Sequence, residues 1–178
     1  RRRHTRLGRW SRGLGDVYKR QALCAASEAY AGDVLLVTGD DRYAHLAALY
    51  AVRVVHNPGS EDGIGTSIAA AANACDSETD ALIIVLGDQP LVTAAHLRAL
   101  VDAWDGEESG IVATAYAGTQ GPPVLFGSAY FSALAALDDD SGAKRVLRAH
   151  ASRVQTVRFE PAAIDIDTPE DLASLDQD

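Results

Sequence analysis

Ala81-Leu-Ile-Ile-Val-Leu-Gly-Asp-Gln-Pro90 is the stretch on which the fold turns. A six-residue apolar run, Ala81 to Leu86, reads as a buried strand and stops at an aspartate on a turn bounded by Gly87 and Pro90. In open α/β sheets the ligand crevice lies outside the carboxyl ends of the strands. Asp88 is therefore delivered to the edge where such a fold does its chemistry. A second acidic strand end, Asp165-Ile-Asp167, offers a partner carboxylate. In an extended segment Asp165 and Asp167 project to one face and Ile166 to the other. One carboxylate per strand end, with few basic residues nearby in sequence, suits a divalent cation, Mg²⁺ or Mn²⁺, holding a phosphorylated substrate. Each aspartate also has a plainer role. Asp88 can cap a turn, and Asp167 can cap the helix opened by Thr168-Pro169.

Outward from this stretch, helix and strand patterns alternate from Ala22 onward. Ala22 to Ala31 reads as the tail of an alanine-rich helix and Val34 to Val37 as a short strand. Asp41 to Tyr50 is amphipathic, with Tyr43, Leu46, Ala47 and Tyr50 on one face. Val52 to Val55 is a β-branched strand, followed by a glycine-rich loop and a helix that Thr66 or Ser67 caps. Thr93 caps a helix to Trp104. Ile111 to Tyr116 and Pro123 to Phe126 are strands around a turn at Gly118 to Gly121. Ser128 to Leu137 and Ser141 to His150 are helical, and Val154 to Phe159 and Ala163 to Ile166 are the last strands. The pattern predicts an α/β, three-layer, Rossmann-like domain with a mainly parallel sheet.

The chain has 178 residues, 47% of them hydrophobic, and a net charge of -9. That is enough for one domain with a full core. No apolar run approaches a membrane span. The basic residues are concentrated in the first 21 positions, so the remainder is more acidic still and would repel nucleic-acid backbones. Neither nucleic acid nor membrane is an expected partner. Cys24 and Cys75 lack metal-site spacing and fit a reducing, cytoplasmic setting. Arg1 to Gln21 shows no helical or strand period, and Gly15 to Gln21 resembles translated sequencing adapter. The chain also contains no methionine. These features divide it into a non-native or disordered leader, 1–21, and a domain, 22–178, whose first strand and phosphate loop are missing.

Other candidates are softer. Asn57 to Ser67 carries three glycines and ends at a helix start, where free N–H groups attract anions, yet such loops are as often mere turns. His56 stands beside it. Gly121-Pro-Pro-Val-Leu-Phe126 reads as an edge-strand start. Lys144 is the best basic candidate for a phosphate contact, with a solvated helix face as the plain alternative. No Ser-His-Asp order and no cysteine nucleophile setting supports acyl transfer.

Taken in order, Asn57-Pro58 with Gly63-Ile-Gly-Thr-Ser-Ile68, LGDQPLV (86–92), GPPVLFG (121–127), DSGAK (140–144) and DIDTPEDL (165–172) resemble the MobA-like nucleotidyltransferases. Within that group the resemblance is greatest to the molybdenum cofactor cytidylyltransferases. It implies transfer of CMP from CTP to the phosphate of molybdopterin, with guanylyl transfer or another small-molecule acceptor as the alternative, or a non-catalytic molybdopterin carrier. It implies Mg²⁺ (or Mn²⁺) on Asp88 and Asp167 as catalytic and metal residues. Nucleotide contacts would come from Asn57, Gly65, Thr66 and Ser67, and substrate contacts from Gln89, Pro123, Val124 and Lys144. A recipient molybdoenzyme or its chaperone would be a partner. The family's glycine-rich loop bearing an arginine and a lysine has no counterpart here, so the chain as it stands is expected to have little activity.

Overall fold

The computed structural model describes residues 11–29, 34–138, 140 and 142–164. The first helix, α1 (Ser11–Ala29), precedes β1 (Leu35–Thr38), α2 (Ala44–Tyr50), β2 (Arg53–His56) and α3 (Ile64–Ala74). Then come β3 (Ala81–Ile84), α4 (Ala94–Ala103), β4 (Ile111–Tyr116), β5 (Thr119–Gly127), α5 (Phe131–Ala135), α6 (Ala143–Ala149) and β6 (Val154–Arg158).

Among the described residues the strands form two sheets. β1 and β2 pair in parallel, and a four-stranded sheet has the order β3-β5-β4-β6. β5 is antiparallel to both of its neighbours, so β3, β4 and β6 run one way. The predicted three layers are present. Sheet residues alternate between faces as the pleat requires. Ile84, Ile111, Ala113, Val124 and Phe126 pack against α3, α5 and α6 on one side. Val112 and Leu125 pack on the other side against α1 and α4, through Ala25, Ala29, Leu97 and Leu100. Both cysteines are free thiols. No helix among the described residues is long and apolar enough to cross a membrane.

Four local expectations change. α1 starts at Ser11, inside the segment set aside as a leader. Gly13 and Gly15 and the lack of an apolar stripe leave this stretch without a helical signal, and Leu23, Ala25 and Ala29 further along α1 are buried. Gly63 rather than Thr66 or Ser67 stands at the start of α3. The β4–β5 turn is Ala117-Gly118, both with positive φ. That is the two-residue hairpin geometry matching strand twist, and an alanine in it gives little sequence signal. Finally, Ala163, the first residue of the last expected strand, closes a 3₁₀ turn, Glu160–Ala163, with Pro161 in its first positions, and Asp165 and Ile166 lie outside the described residues. Proline supplies no ladder N–H and suits a helical start. Thr93 caps α4 as expected, accepting from the His96 backbone N–H at 3.2 Å.

Candidate functional site

β3 ends at Ile84, and Val85-Leu86 carries the chain into the turn that presents Asp88. Asp88 is half-buried, with Oδ1 shielded from water. Gln89, next to it, is 2% exposed. Its Nε2 donates to the carbonyls of Ala162 at 2.8 Å and Pro122 at 3.2 Å. One amide thus ties the acidic turn to the β5 strand and to the 3₁₀ turn after β6. Gln89 was expected to touch substrate. Its burial and its two carbonyl partners make it a strut instead.

The opposing strand is shaped by a skip in register. Ala113 pairs with Val124 but Thr114 pairs with Gly121, so Pro122 and Pro123 bulge out of the ladder. Bulges re-aim side chains and recur beside active sites. Here the bulge sends the two prolines to different places. Pro122 lines a pocket, whereas Pro123 is fully buried and its carbonyl accepts the Thr114 hydroxyl at 2.7 Å. That hydroxyl spends its proton on Pro123, so the His96 Nε2 atom 2.8 Å from Thr114 Oγ1 is the donor. His96 stacks on Phe159 with ring centroids 4.1 Å apart, and burial lowers its pKa. Val124 is 0% exposed within the core. The expected substrate contacts from Pro123 and Val124 are therefore corrected: both belong to the core, and Pro122 is the residue on the pocket.

That pocket, about 120 Å³, is lined by Ile64, Ile68, Leu86, Pro122, Asp140, Gly142, Ala143 and Lys144. It brings together the start of α3, the LGDQP strand end, the β5 bulge and the start of α6. Gly142 sits at φ +52, and a Cβ there would lie 2.8 Å from Ile64 Cγ2. Both the backbone angle and the space demand glycine. Lys144 is one of the residues lining this pocket and is exposed. Asp140 joins it. Sequence reasoning quoted Asp140 inside DSGAK without giving it a role, because a carboxylate in an acidic run carries no mark of its own.

The 57–67 loop holds itself. Asn57, 6% exposed, donates through Nδ2 to Thr66 Oγ1 and Ser67 Oγ, both at 3.0 Å, and accepts the Gly59 N–H at 3.1 Å. Thr66 shares its hydroxyl proton between the carbonyls of Gly59 and Gly63, at 2.8 and 2.9 Å. Asn57, Thr66 and Ser67 are thus brought together, with the polar atoms of Asn57 consumed inside the loop. The side chain builds the loop, both Nδ2 protons being used within it. Gly65 is buried in the first turn of α3. His56 is a surface residue 3.8 Å from Asp41, a pairing worth little.

Asp167, the expected second metal ligand, lies outside the described residues, as does Asp165. Among the described residues no group of three or more His, Cys, Asp or Glu side chains is arranged to hold a metal. Mg²⁺ asks for less. It binds through one or two carboxylates and keeps water and substrate phosphates as its other ligands. Asp88, a hard oxygen donor at a strand end, fits that requirement.

The MobA-like NTP transferase domain model matches residues 5–154. The purine catabolism protein PucB of Bacillus subtilis is 34% identical over 116 residues, covering 63% of this chain and 55% of that protein. Phosphoenolpyruvate guanylyltransferase of Thermobaculum terrenum is 28% identical over 102 residues, 57% of this chain and 44% of that one. The chain thus spans about half the length of the curated relatives it matches. Among solved structures, Rv0371c of Mycobacterium tuberculosis superposes with a TM-score of 0.73 at 27% identity, covering 89% of this chain and 82% of that one. A complex of Rv0371c with manganese gives 0.70 at 26% identity, over 89% and 85%.

Proposed function

The chain belongs to the MobA-like NTP transferase family, and we propose that it serves nucleotidyl transfer, moving CMP from CTP to the phosphate of molybdopterin with release of pyrophosphate. The observation that carries this reading is the meeting of four segments at one pocket: Leu86, two residues before Asp88, the α3 start at Ile64, Pro122, and Asp140 with Gly142 to Lys144. An acceptor phosphate oxygen attacks the α-phosphorus of the nucleotide, the bond to the β-phosphate breaks, and its electrons leave with pyrophosphate. Such chemistry needs positioning and charge neutralisation more than covalent help.

Asp88, with Asp167 as its partner, would hold Mg²⁺ or Mn²⁺, which supplies charge neutralisation at the phosphates. The manganese complex of Rv0371c supports a divalent ion in this fold. The chain's own residues do the rest. Lys144 meets an incoming anion, Gln89 fixes the turn that aims Asp88, and the Asn57 loop sets the position of the α3 start, whose backbone faces the nucleotide. The acceptor site would be supplied with molybdopterin in the cytoplasm and would pass the product to a molybdoenzyme or its chaperone. Guanylyl transfer is the second reading, favoured by the likeness to a guanylyltransferase.

The test is pyrophosphate release from CTP or GTP in the presence of molybdopterin and Mg²⁺ or Mn²⁺. It is measured on a longer protein that carries the family's glycine-rich phosphate loop ahead of this chain, because the chain as it stands is expected to have little activity. Asp88→Asn should lower turnover about 10²–10³-fold, the scale of losing one preorganised electrostatic contact. Turnover with GTP alone would move the second reading to first place. Turnover that survives Asp88→Asn would remove the metal role from Asp88. Molybdopterin binding with no pyrophosphate release under any condition would make the chain a carrier.

A further inference from the structure

A second, larger cleft of about 800 Å³ lies between the tip of the β4–β5 hairpin, α6 and β6. Its walls carry Lys144, Arg148 and Arg158 against one carboxylate, Glu160, along with the polar side chains of Gln120 and Thr156. In a chain of net charge -9 this is a local reversal of sign. Glu160 does not offset it. Its Oε1 accepts Arg158 Nε at 2.9 Å and its Oε2 accepts the Ala117 N–H at 2.9 Å. Those two bonds, the backbone one foremost, hold its pKa below the usual carboxylate value. Glu160 is committed to shaping the hairpin turn and orienting Arg158. The pair uses only Nε, so the two terminal guanidinium nitrogens remain to form a fork that fits an oxyanion. Lys144 lines both this cleft and the smaller pocket beside Leu86 and Pro122.

We propose that this cleft is an anion-binding site that holds a phosphate or carboxylate group of the acceptor between Arg148 and Arg158, with Lys144 shared with the smaller pocket beside Leu86 and Pro122. Binding of the anion stands on the cleft alone; only its role as acceptor site rests on the nucleotidyl-transfer reading. Arg148 and Arg158 are then specificity-determining residues, and an acceptor without an anionic group enters poorly.

The experiment titrates isotope-labelled full chain with phenyl phosphate and, separately, with benzoate, following backbone amide shifts. Shifts at Gln120 and Thr156 with either probe support the site, and the stronger probe tells which oxyanion it prefers. Arg148→Glu should weaken that binding about tenfold or more, the scale of one charged hydrogen bond. Arg158→Gln should weaken it without reversing the charge. Arg148 is exposed, so an unchanged thermal midpoint is expected for its variant. Shifts confined to residues 86–89 and 140–144, no shift at all, or an Arg148→Glu variant that binds as before would overturn the proposal. Probe binding without pyrophosphate release by the protein that carries the phosphate loop refutes the nucleotidyl reading and keeps the cleft, and pyrophosphate release without probe binding does the reverse.

Discussion

The two sheets are written in similar sequence and meet different fates. β1 is Leu-Leu-Val-Thr and β2 is Arg-Val-Val-His, yet β1 is only half-buried throughout and β2 is mostly exposed. β4 is Ile-Val-Ala-Thr-Ala-Tyr, with its first four residues fully buried. β4 lies between two hydrogen-bonded strands, with helices on both faces. β1 and β2 have only each other as strand neighbours among the described residues. Burial is a property of neighbours, and β-branched apolar residues give the same local signal in either setting.

That contrast predicts where stability resides. The largest effect should follow Phe126→Ala, which empties a 0%-exposed site in the cluster packed against α3, α5 and α6. It should cost about 3–5 kcal/mol in urea unfolding. Val54→Ala on β2, at 40% exposure, should cost less than about 1 kcal/mol. Equal losses would mean that the two sheets are buried alike in solution.

Next in size is Gln89→Ala, which leaves the Pro122 and Ala162 carbonyls without their donor. A loss of about 1–3 kcal/mol is expected. If Gln89 is a strut, the isosteric Gln89→Glu should also destabilise, because a carboxylate meets two carbonyl oxygens. A variant of unchanged stability and weakened substrate binding would return Gln89 to the role first expected of it.

Acid should separate the sheets as well. The folded state holds His96 below the ordinary value of 6.5 because burial disfavours its charged form. Above 6.5 neither state binds this proton and stability is at its plateau. As pH falls below 6.5 the unfolded chain takes the proton first, so stability declines until the folded pKa is passed. His96→Gln should flatten that decline, measured as the urea midpoint against pH. Hydrogen exchange should show the acid loss first in β4, which His96 holds through Thr114.

The smallest effect is a matched pair. Ala117 in the hairpin and Ala51 at the end of α2 both sit at positive φ, +46 and +52. Glycine at either removes the left-handed penalty and should raise stability by about 1 kcal/mol. Ala117→Gly should give its full gain in global unfolding. Ala51→Gly should give less if the β1–β2 region opens on its own. Equal gains would show the molecule unfolding as one unit.

Much of the frame was legible because periodicity is local. The β4 strand, the Thr93 cap and the alternation of helix and strand all follow from a few adjacent residues. What was hidden depends on distant partners. Nothing near Gln89 announces that its amide will meet a carbonyl 73 positions away. Nothing in GPPV reveals that a skipped register will turn Pro122 outward and Pro123 inward. Residues from three of the quoted motifs, Leu86, Asp140 and Lys144, line one pocket. Motif resemblance could not say which member of each motif faces the opening. Asn57 shows the same limit, as its loop position suggested a ligand whereas its three bonds make it a staple.

β5 carries a final consequence. Its first two residues, Thr119 and Gln120, are exposed at the cleft, and its last five are buried in the core. A single strand thus runs from a wall where almost any polar side chain can stand into a region where almost none can. Variation has room at one end while the other is constrained. A library built at Thr119 and Gln120 would vary the cleft wall on an unchanged scaffold, and the same division would let descendants of one ancestral chain exchange acceptors by small steps without ever having to refold differently.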